Sequence, residues 1–384
     1  MTLVVAACLA LATAQPALTP LEARTLERVR ASLPQRTVPA LSGPLVEAAR
    51  ALARAAARGD PRPLSEPALR SALGDAGVFD PAPAAVLLSA SPSSLPDAMA
   101  DAARFRGASH LGIGAGIEGD LAWAVLLASE QRAEIDPFPR RVVPGSRATL
   151  RGRLLRLEGP RVWVSEPSGA VVEVPVQTEG DRFSAPVSFP GPGTWRVEVG
   201  GTGPRGATMA ALLVVESGAN LVGQTARAAR PSDEVEPPDD AAAALRIRGA
   251  IDELRARQGL PPLRGDARLD RLARRHAEAM LAAGTLAHRL DGTPDLSGRL
   301  AGEGVPFRAA RENLARGDGA LDSHRATVGS PAHLASLLDP EMQLLGLGIA
   351  RGALPGGQPV VYLAEILLAP RAPLPAEDAP AGVR

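Results

Sequence analysis

The sequence lacks lysine altogether and has only one cysteine and few aromatic residues, which make up 3% of its 384 positions. A single cysteine, Cys8, excludes an internal disulfide framework. If the leader that contains it is removed, a cysteine nucleophile and a thiolate metal site are excluded as well. With so few aromatic residues, the hydrophobic cores have to be built from Ala, Val and Leu.

Net charge of one sign is also absent. All 42 basic residues are Arg, they are balanced by 42 acidic residues, and no basic block stands out. This balance argues against nucleic acid as the main partner. Beyond the N-terminus, no stretch is long and apolar enough for a transmembrane helix.

An apolar run at residues 3–14 ends in Ala12-Thr13-Ala14, which has the form of a signal-peptidase site. The run is too short to span a bilayer. It predicts a signal peptide at residues 1–14 and a protein that is secreted or held in the cell envelope. No positive residue precedes the run, and the true start codon could lie upstream. The alternative, a lipoprotein signal with Cys8 lipidated, is less favoured because the apolar stretch before Cys8 is too short.

The rest of the chain divides by composition. Residues 20–137 contain Ala-rich amphipathic helices and end in a short apolar run, which predicts an α/β domain. Residues 138–218 contain short β-rich runs separated by Gly, Pro and Asp, a spacing typical of an antiparallel β-sandwich. This sandwich is expected to be immunoglobulin-like in architecture, with Trp163 and Trp195 as core anchors. Residues 219–243 are interpreted as a linker, residues 244–370 as a second α/β domain and residues 371–384 as a disordered tail.

An internal repeat connects the first and last of these domains. "HLGIG" followed by "LAWAVLLA" is similar to "LLGLG" followed by "VVYLAEILLA". Two helical segments match as well: "LVEAARALARAAARG" with "LDRLARRHAEAMLAAG", and "LRSALGDAGV" with "LSGRLAGEGV". The order is the same in both copies over about 110–120 residues, which predicts a domain duplication.

The chemistry separates the two copies. Four of the five histidines lie in the second copy, and nothing in the first copy matches "REN" or "SPAH". His110, the single histidine of the first copy, is expected to be structural. His276, in an Arg-rich helix, is expected to be a surface residue or a partner of Glu278. Ser330 precedes a proline and is expected to cap a helix, although Ser330 or Ser323 could also serve as a nucleophile beside a histidine.

Residues 244–369 resemble the CAP superfamily (cysteine-rich secretory proteins, antigen 5 and pathogenesis-related proteins) in its bacterial SCP-like form. The resemblance is carried by "GLPPL" with the helix that follows it, by "RENLARG", by "GSPAHLASLLDPEMQLLGLGIA" and by the closing strand "VVYLAEIL". Residues that depart from the family pattern are Arg311, Thr327, Leu334 and Ser336. The resemblance implies an α-β-α sandwich around an antiparallel sheet, so the whole chain is expected to be an α+β multidomain protein. It also suggests that residues 20–137 are a degenerate CAP-like copy.

The resemblance further implies a cleft that contains two histidines and one or two acidic residues. Matched motif by motif, this cleft would contain His288, Glu312 and His333, with His324 or Glu365 as a fourth group and with Asn313 and Ser330 in support. Two imidazoles and a carboxylate could bind Zn²⁺ or another divalent metal, with His288 and His333 as ligands. The alternative without metal is a hydrogen-bonded His/Glu network.

Two functions follow as expectations. The first is a non-enzymatic module that binds a lipid, a small molecule or a protein outside the cytoplasm. The second is a metal-assisted peptidase or esterase at the same cleft, with Glu312 activating water.

Overall fold

A computed structural model describes residues 16–33, 38–81, 83–103, 105, 107–218, 235–353 and 359–371. The predicted signal peptide with Cys8, most of the predicted linker and nearly all of the predicted tail lie outside these residues. The chain divides into two compact units between Arg132 and Ala133. Within the described part of the chain, no helix is both long enough and apolar enough to cross a membrane.

The first unit has a four-stranded sheet with the strand order β1-β3-β4-β2. Its β1 runs parallel to β3, and the other neighbouring strands are antiparallel. The elements in chain order are α1 (Pro20–Ser32), β1 (Ala40–Leu41), α2 (Gly43–Ala57), α3 (Glu66–Asp75), β2 (Ala84–Ala90), α4 (Leu95–Ala102), β3 (His110–Glu118) and β4 (Leu121–Ser129).

Two glycines of β3 allow α2 to pack directly against the sheet. A Cβ on Gly112 would lie 2.3 Å from the backbone carbon of Leu45, and one on Gly114 would lie 2.1 Å from the backbone nitrogen of Arg50. No side chain fits in this space, so "LGIG" is a helix-packing motif.

Residues 133–217, called the two-sheet region below, contain nine strands in two sheets. One sheet has the order β10-β11-β7-β5 and the other has the order β6-β13-β12-β8-β9. The strands are β5 (Ala133–Ile135), β6 (Arg141–Val142), β7 (Ser146–Leu154), β8 (Glu158–Ser165), β9 (Val171–Val174), β10 (Gln177–Glu179), β11 (Arg182–Phe189), β12 (Gly193–Gly203) and β13 (Gly206–Ser217).

Phe189 of the first sheet and Trp195 of the second meet edge to face, with ring centroids 5.7 Å apart. Trp195 is therefore a core anchor, as predicted. The prediction for Trp163 is wrong: the residue is only half-buried, and Arg161 stacks over its ring at 4.6 Å. Because neighbours along a strand point to opposite faces, the buried Val162 and Val164 place Trp163 on the outer face of its sheet.

The C-terminal domain has a sheet of the order β14-β16-β17-β15. Its elements are α5 (Asp240–Arg257), β14 (Arg264–Gly265), α6 (Ala267–Ala283), α7 (Leu296–Gly302), β15 (Ala309–Gly317), α8 (Ala320–Gly329), α9 (Pro331–Leu337), β16 (Leu344–Ala353) and β17 (Pro359–Ala369). One hydrophobic cluster packs α6 and α7 on one face of the sheet, and a second packs α5, α8 and α9 on the other. The domain therefore has three layers.

The first unit and the C-terminal domain share their strand order and strand directions. β14 is parallel to β16 as β1 is to β3, and β17 lies between β16 and β15 as β4 lies between β3 and β2. The two glycines recur: a Cβ on Gly346 would lie 2.3 Å from the backbone carbon of Leu269, and one on Gly348 would lie 2.1 Å from that of Ala273. The helix-packing motif is thus the same in both sheets.

Candidate functional site

Glu312 is at the centre of one polar cluster of the C-terminal domain. It lies on β15, facing α6, with its side chain 2% exposed. The Arg299 guanidinium donates to both carboxylate oxygens, at 2.8 and 3.0 Å, and His288 Nδ1 lies 2.9 Å from Oε2. Burial raises the pKa of Glu312, but the His288 hydrogen bond and the Arg299 charge outweigh it, so the pKa lies below its usual value.

His276 extends this cluster and corrects the prediction of a surface residue. It is 4% exposed, and its Nε2 lies 2.9 Å from the carbonyl oxygen of Ala287 and 4.0 Å from Glu312 Oε2. Burial lowers the pKa of His276 despite the nearby Glu312 charge. The residue shares the buried stripe of α6 with Leu269 and Met280, at helical spacing, so the periodicity of the helix already indicated burial.

A second polar cluster lies around Glu365, a fully buried residue of β17. Its Oε1 lies 2.8 Å from His324 Nδ1, and its Oε2 accepts from Asn313 Nδ2 at 3.1 Å. In the strand register Asn313 stands opposite Glu365, whereas Glu312 stands opposite Ile366. Glu312 and Glu365 therefore point to opposite faces of the sheet.

His333 lies on α9, and the pKa of its ring is affected by one residue from each cluster. Burial, together with the charge of His288, lowers the pKa of His333 to about 4, and Glu365 opposes the shift. The carbonyl oxygen of His333 accepts from Asn313 Nδ2 at 3.2 Å, which ties α9 to the Glu365 cluster. The residue is half-buried, and its imidazole is neutral at neutral pH.

The arrangement of these motifs on a three-layer domain agrees with a known family. Residues 248–362 match the family model described as the cysteine-rich secretory protein family, CAP. Residues 248–362 are a CAP domain. A search of curated proteins found no match.

Several solved structures are similar to parts of the chain. An outer surface protein from Borrelia burgdorferi is 22% identical, with 35% of this chain and 96% of that chain covered and a TM-score of 0.31. An extracellular protein containing an SCP domain, from Bacillus anthracis, is 13% identical over 62% and 89% of the two chains, with a TM-score of 0.29. A cysteine-rich secretory protein from Staphylococcus aureus is 12% identical over 58% and 77%, with a TM-score of 0.27.

The CAP domain distributes the residues expected in one cleft over the two clusters. His288 and Glu312 are in direct contact, and His324, Glu365 and Asn313 form the second set. The backbone carbonyl of His333 accepts a hydrogen bond from Asn313 of the second set. The pKa of its ring is affected by the charges of both His288 and Glu365.

Ser330 and Ser323, the two candidate nucleophiles, are both hydrogen-bonded within the protein. Ser330 is the N-cap of α9, as the sequence predicts: its Oγ accepts from His333 N at 3.3 Å and donates to Glu198 at 2.6 Å. Ser323 is fully buried and donates to the carbonyl oxygens of Gly319 and Val361. Neither hydroxyl has a histidine ring as its hydrogen-bond partner among these contacts.

The geometry of the CAP domain does not fit a metal centre built on His288 and His333. Among the described residues no group of three His, Cys, Asp or Glu side chains converges as metal ligands would. The nearest carboxylate, Glu312, is already neutralised by Arg299, and a cation beside that guanidinium would be repelled.

Sequence reasoning missed Arg299, the cation that neutralises Glu312, and Glu198, which contacts α9 from the two-sheet region. Arg299 follows Asp295, an N-cap, in the short helix α7, and it is one of many arginines. Glu198 lies 132 residues from Ser330. No local pattern links either residue to the site.

Proposed function

We propose that the chain is an exported protein whose CAP domain is a non-enzymatic binding module, with His288 and His333 as the groups that meet the ligand. The observation that carries this proposal is the state of Glu312. Both of its oxygens are engaged inside the domain, by Arg299 and His288, so the carboxylate acts as an anchor for the imidazole.

The anchor determines how His288 can act. Its Nδ1 is paired with the carboxylate, so Nε2 is the ring nitrogen left for a ligand. The side chain is 24% exposed, in contrast to the 2% of Glu312. His333 adds a second imidazole, uncharged at neutral pH. The uncharged ring of His333 favours a ligand group that exchanges hydrogen bonds with it over one held by charge.

The hydrolase alternative is less well supported. A carboxylate with a lowered pKa, paired with an arginine, is a weak general base at neutral pH. Ser330 and Ser323 are buried and hydrogen-bonded to groups other than an imidazole ring. Nucleophilic catalysis needs a hydroxyl beside a base, and neither serine is placed in this way.

Two further parts of the proposal concern the rest of the chain. The apolar run at residues 3–14 supports export, with cleavage before Gln15. The shared topology supports the first unit as a CAP-like copy that arose by duplication. Strand pairing matches Ala85 to Glu312 and Leu126 to Glu365, so this copy has no counterpart of either carboxylate.

The binding proposal can be tested by imidazole NMR, since the chain has only five histidines. Octanoate, inorganic phosphate and an acetylated dipeptide amide serve as probes of three ligand chemistries. We expect at least one probe to move the ring signals of His288 and His333 together while His276, which is buried, stays unchanged. A His288→Ala/His333→Ala variant should lose that binding.

A turnover screen with peptide and ester substrates is the opposing arm. Hydrolysis that disappears in Glu312→Ala but persists in a variant of an exposed acid, Glu303→Ala, would overturn the non-enzymatic assignment. Probes that bind without moving either imidazole would overturn the assigned site. A Zn²⁺ titration by calorimetry should give equal heats for the wild type and the double variant.

A further inference from the structure

Glu198 is a buried carboxyl where the strand pattern predicts an exposed one. Along β12 the side chains of Trp195, Val197 and Val199 are buried between the two sheets. Glu198 alternates with them, so it points to the outer face of the sheet. It is nevertheless 3% exposed. An outward-facing glutamate is buried only when something covers that face of the sheet.

The cover is the N-terminus of α9. Glu198 Oε2 accepts a hydrogen bond from Ser330 Oγ at 2.6 Å and another from the backbone N–H of Ala332 at 3.1 Å. Ser330 Oγ in turn accepts from the N–H of His333. One carboxylate oxygen of the two-sheet region therefore holds the first turn of the helix that carries His333.

The same region contacts the segment that carries His288. Arg289 N donates to the carbonyl oxygen of Arg205 at 3.1 Å, and the Arg289 guanidinium donates to that of Pro204 at 2.7 Å. Gly206 lies against His288 itself: a Cβ there would be 3.0 Å from the Cβ of the histidine. The turn between β12 and β13 therefore packs beside His288.

We propose that the two-sheet region positions the two histidines of the candidate binding site. Glu198 is the positioning group for His333, and the Pro204–Gly206 turn is the positioning group for His288. Neither group needs to touch a ligand. Each contacts the chain segment that carries one of the two histidines.

Helix length supports the role of Glu198. α9 has seven residues, and a helix of two turns is unstable without external contacts. Burial raises the pKa of Glu198 to about 7, against the two hydrogen bonds that favour the charged form. The fold thus retains an acid that would be better solvated elsewhere, as proteins do where a polar group fixes one arrangement.

The proposal goes beyond the binding function, because it concerns the protein without ligand and stands even if no ligand is found. Its test uses the full chain and the imidazole NMR signals, with amide exchange of residues 332–337 as a second readout. Glu198→Ala removes the acceptor. Glu198→Gln keeps a carbonyl oxygen that can accept the same two hydrogen bonds.

We expect Glu198→Ala to shift the His333 ring signals, to raise its titration midpoint from about 4 toward the ordinary histidine value of 6.5, and to speed exchange in α9 about tenfold. Glu198→Gln should restore most of the wild-type pattern. The charged or titratable groups that act on His333, namely His288 and Glu365, are unchanged in both variants. Glu216→Ala, on the same sheet, is the matched control.

A second pair of variants tests the turn. Gly206→Ala should move the His288 signals, because the new Cβ meets that residue. Gly180→Ala also adds a Cβ at a glycine of positive φ, but nothing lies within 4 Å of it. It should leave both histidines unchanged.

If Glu198→Ala does not fold, Ser330→Ala removes only the bridging hydroxyl and should move His333 in the same way. Signals of His333 that stay at their wild-type positions in Ser330→Ala and Glu198→Ala would overturn the role of Glu198. An equal shift in Glu216→Ala would overturn it as well. A Gly206→Ala protein with an unmoved His288 would overturn the role of the turn.

Discussion

Glu198 and His333, which are linked through the first turn of α9, make opposite contributions to the pH dependence of stability. The pKa of Glu198 rises from 4.5 to about 7 on folding, and that of His333 falls from 6.5 to about 4. Between about pH 4.5 and 6.5 the unfolded chain binds one proton more at His333 and one fewer at Glu198. The two effects cancel, so this pair alone gives a flat profile in that window.

Replacing one of these two titrating residues should reveal the pH dependence of stability that the other contributes. A carboxyl whose folded pKa is raised lowers stability as pH increases through the window, by about 1.4 kcal/mol per pH unit. Glu198→Gln does not titrate, so its stability relative to wild type should rise with pH from about 4.5 and level off above 7. The total gain is about 3 kcal/mol at most. His333→Gln should gain relative stability as pH falls from about 6.5 toward 4, and by less, because His333 is only half-buried.

The measurement is urea unfolding of the full chain at several pH values. Pulsed hydrogen exchange of β15 and β17 peptides, with the pulse at one fixed pH, reports the CAP domain alone. The other titrating groups are the same in variant and wild type, so their contributions cancel in the difference between the two free energies of unfolding. A Glu198→Gln curve parallel to wild type between about pH 4.5 and 7 would show that Glu198 is ionised in the folded protein, and the reasoning would fail.

Two other perturbations test an ion pair of the CAP domain and the helix packing in both units. Removing either Glu312 or Arg299 leaves a buried charge unpaired and should lower the free energy of unfolding by about 3–5 kcal/mol. The double variant Glu312→Gln/Arg299→Met should lose much less than the sum of the two single losses. Additive losses in this double-mutant cycle would refute the pairing. Gly348→Ala should unfold the CAP domain, and Gly114→Ala should unfold the first unit, because each new Cβ would lie 2.1 Å from helix backbone. A clash this close should cost more than ordinary overpacking, which destabilises by about 1–3 kcal/mol. Gly116→Ala, with open space around it, is the control, and a circular-dichroism melt like that of wild type for either tight variant would contradict this packing argument.

The fold could be anticipated from the sequence wherever one residue type performs a local task. "LGIG" and "LGLG" repeat because each sheet needs a strand without side chains beneath a helix, and the match of Gly112 with Gly346 survives in the structure. Ser330 could be assigned as a cap because capping depends on neighbours within three residues. The CAP domain itself was identified from motifs of this local kind, and the family match confirms it.

The site could be anticipated only in part, because its contacts join distant segments. The prediction brought together His288 and Glu312, which the structure places 2.9 Å apart. It could not give the partner of that carboxylate, since Arg299 is one arginine among many. Trp163 was assigned to the wrong face because composition marks an aromatic residue as core without saying which side of a strand faces the opposite sheet.

The placement of charge bears on the choice between the proposed binding function and the hydrolase alternative. A catalytic carboxylate is useful when its pKa lies near the working pH, and Glu312 is held below that range by Arg299 and His288. The carboxyl whose pKa does lie near neutrality is Glu198, and it is sealed under α9 with its hydrogen bonds directed at a helix terminus. Glu198 therefore contacts the helix that carries His333 and is itself only 3% exposed. This arrangement favours a site whose shape, and therefore whose binding, responds to the two-sheet region, over one that transfers protons.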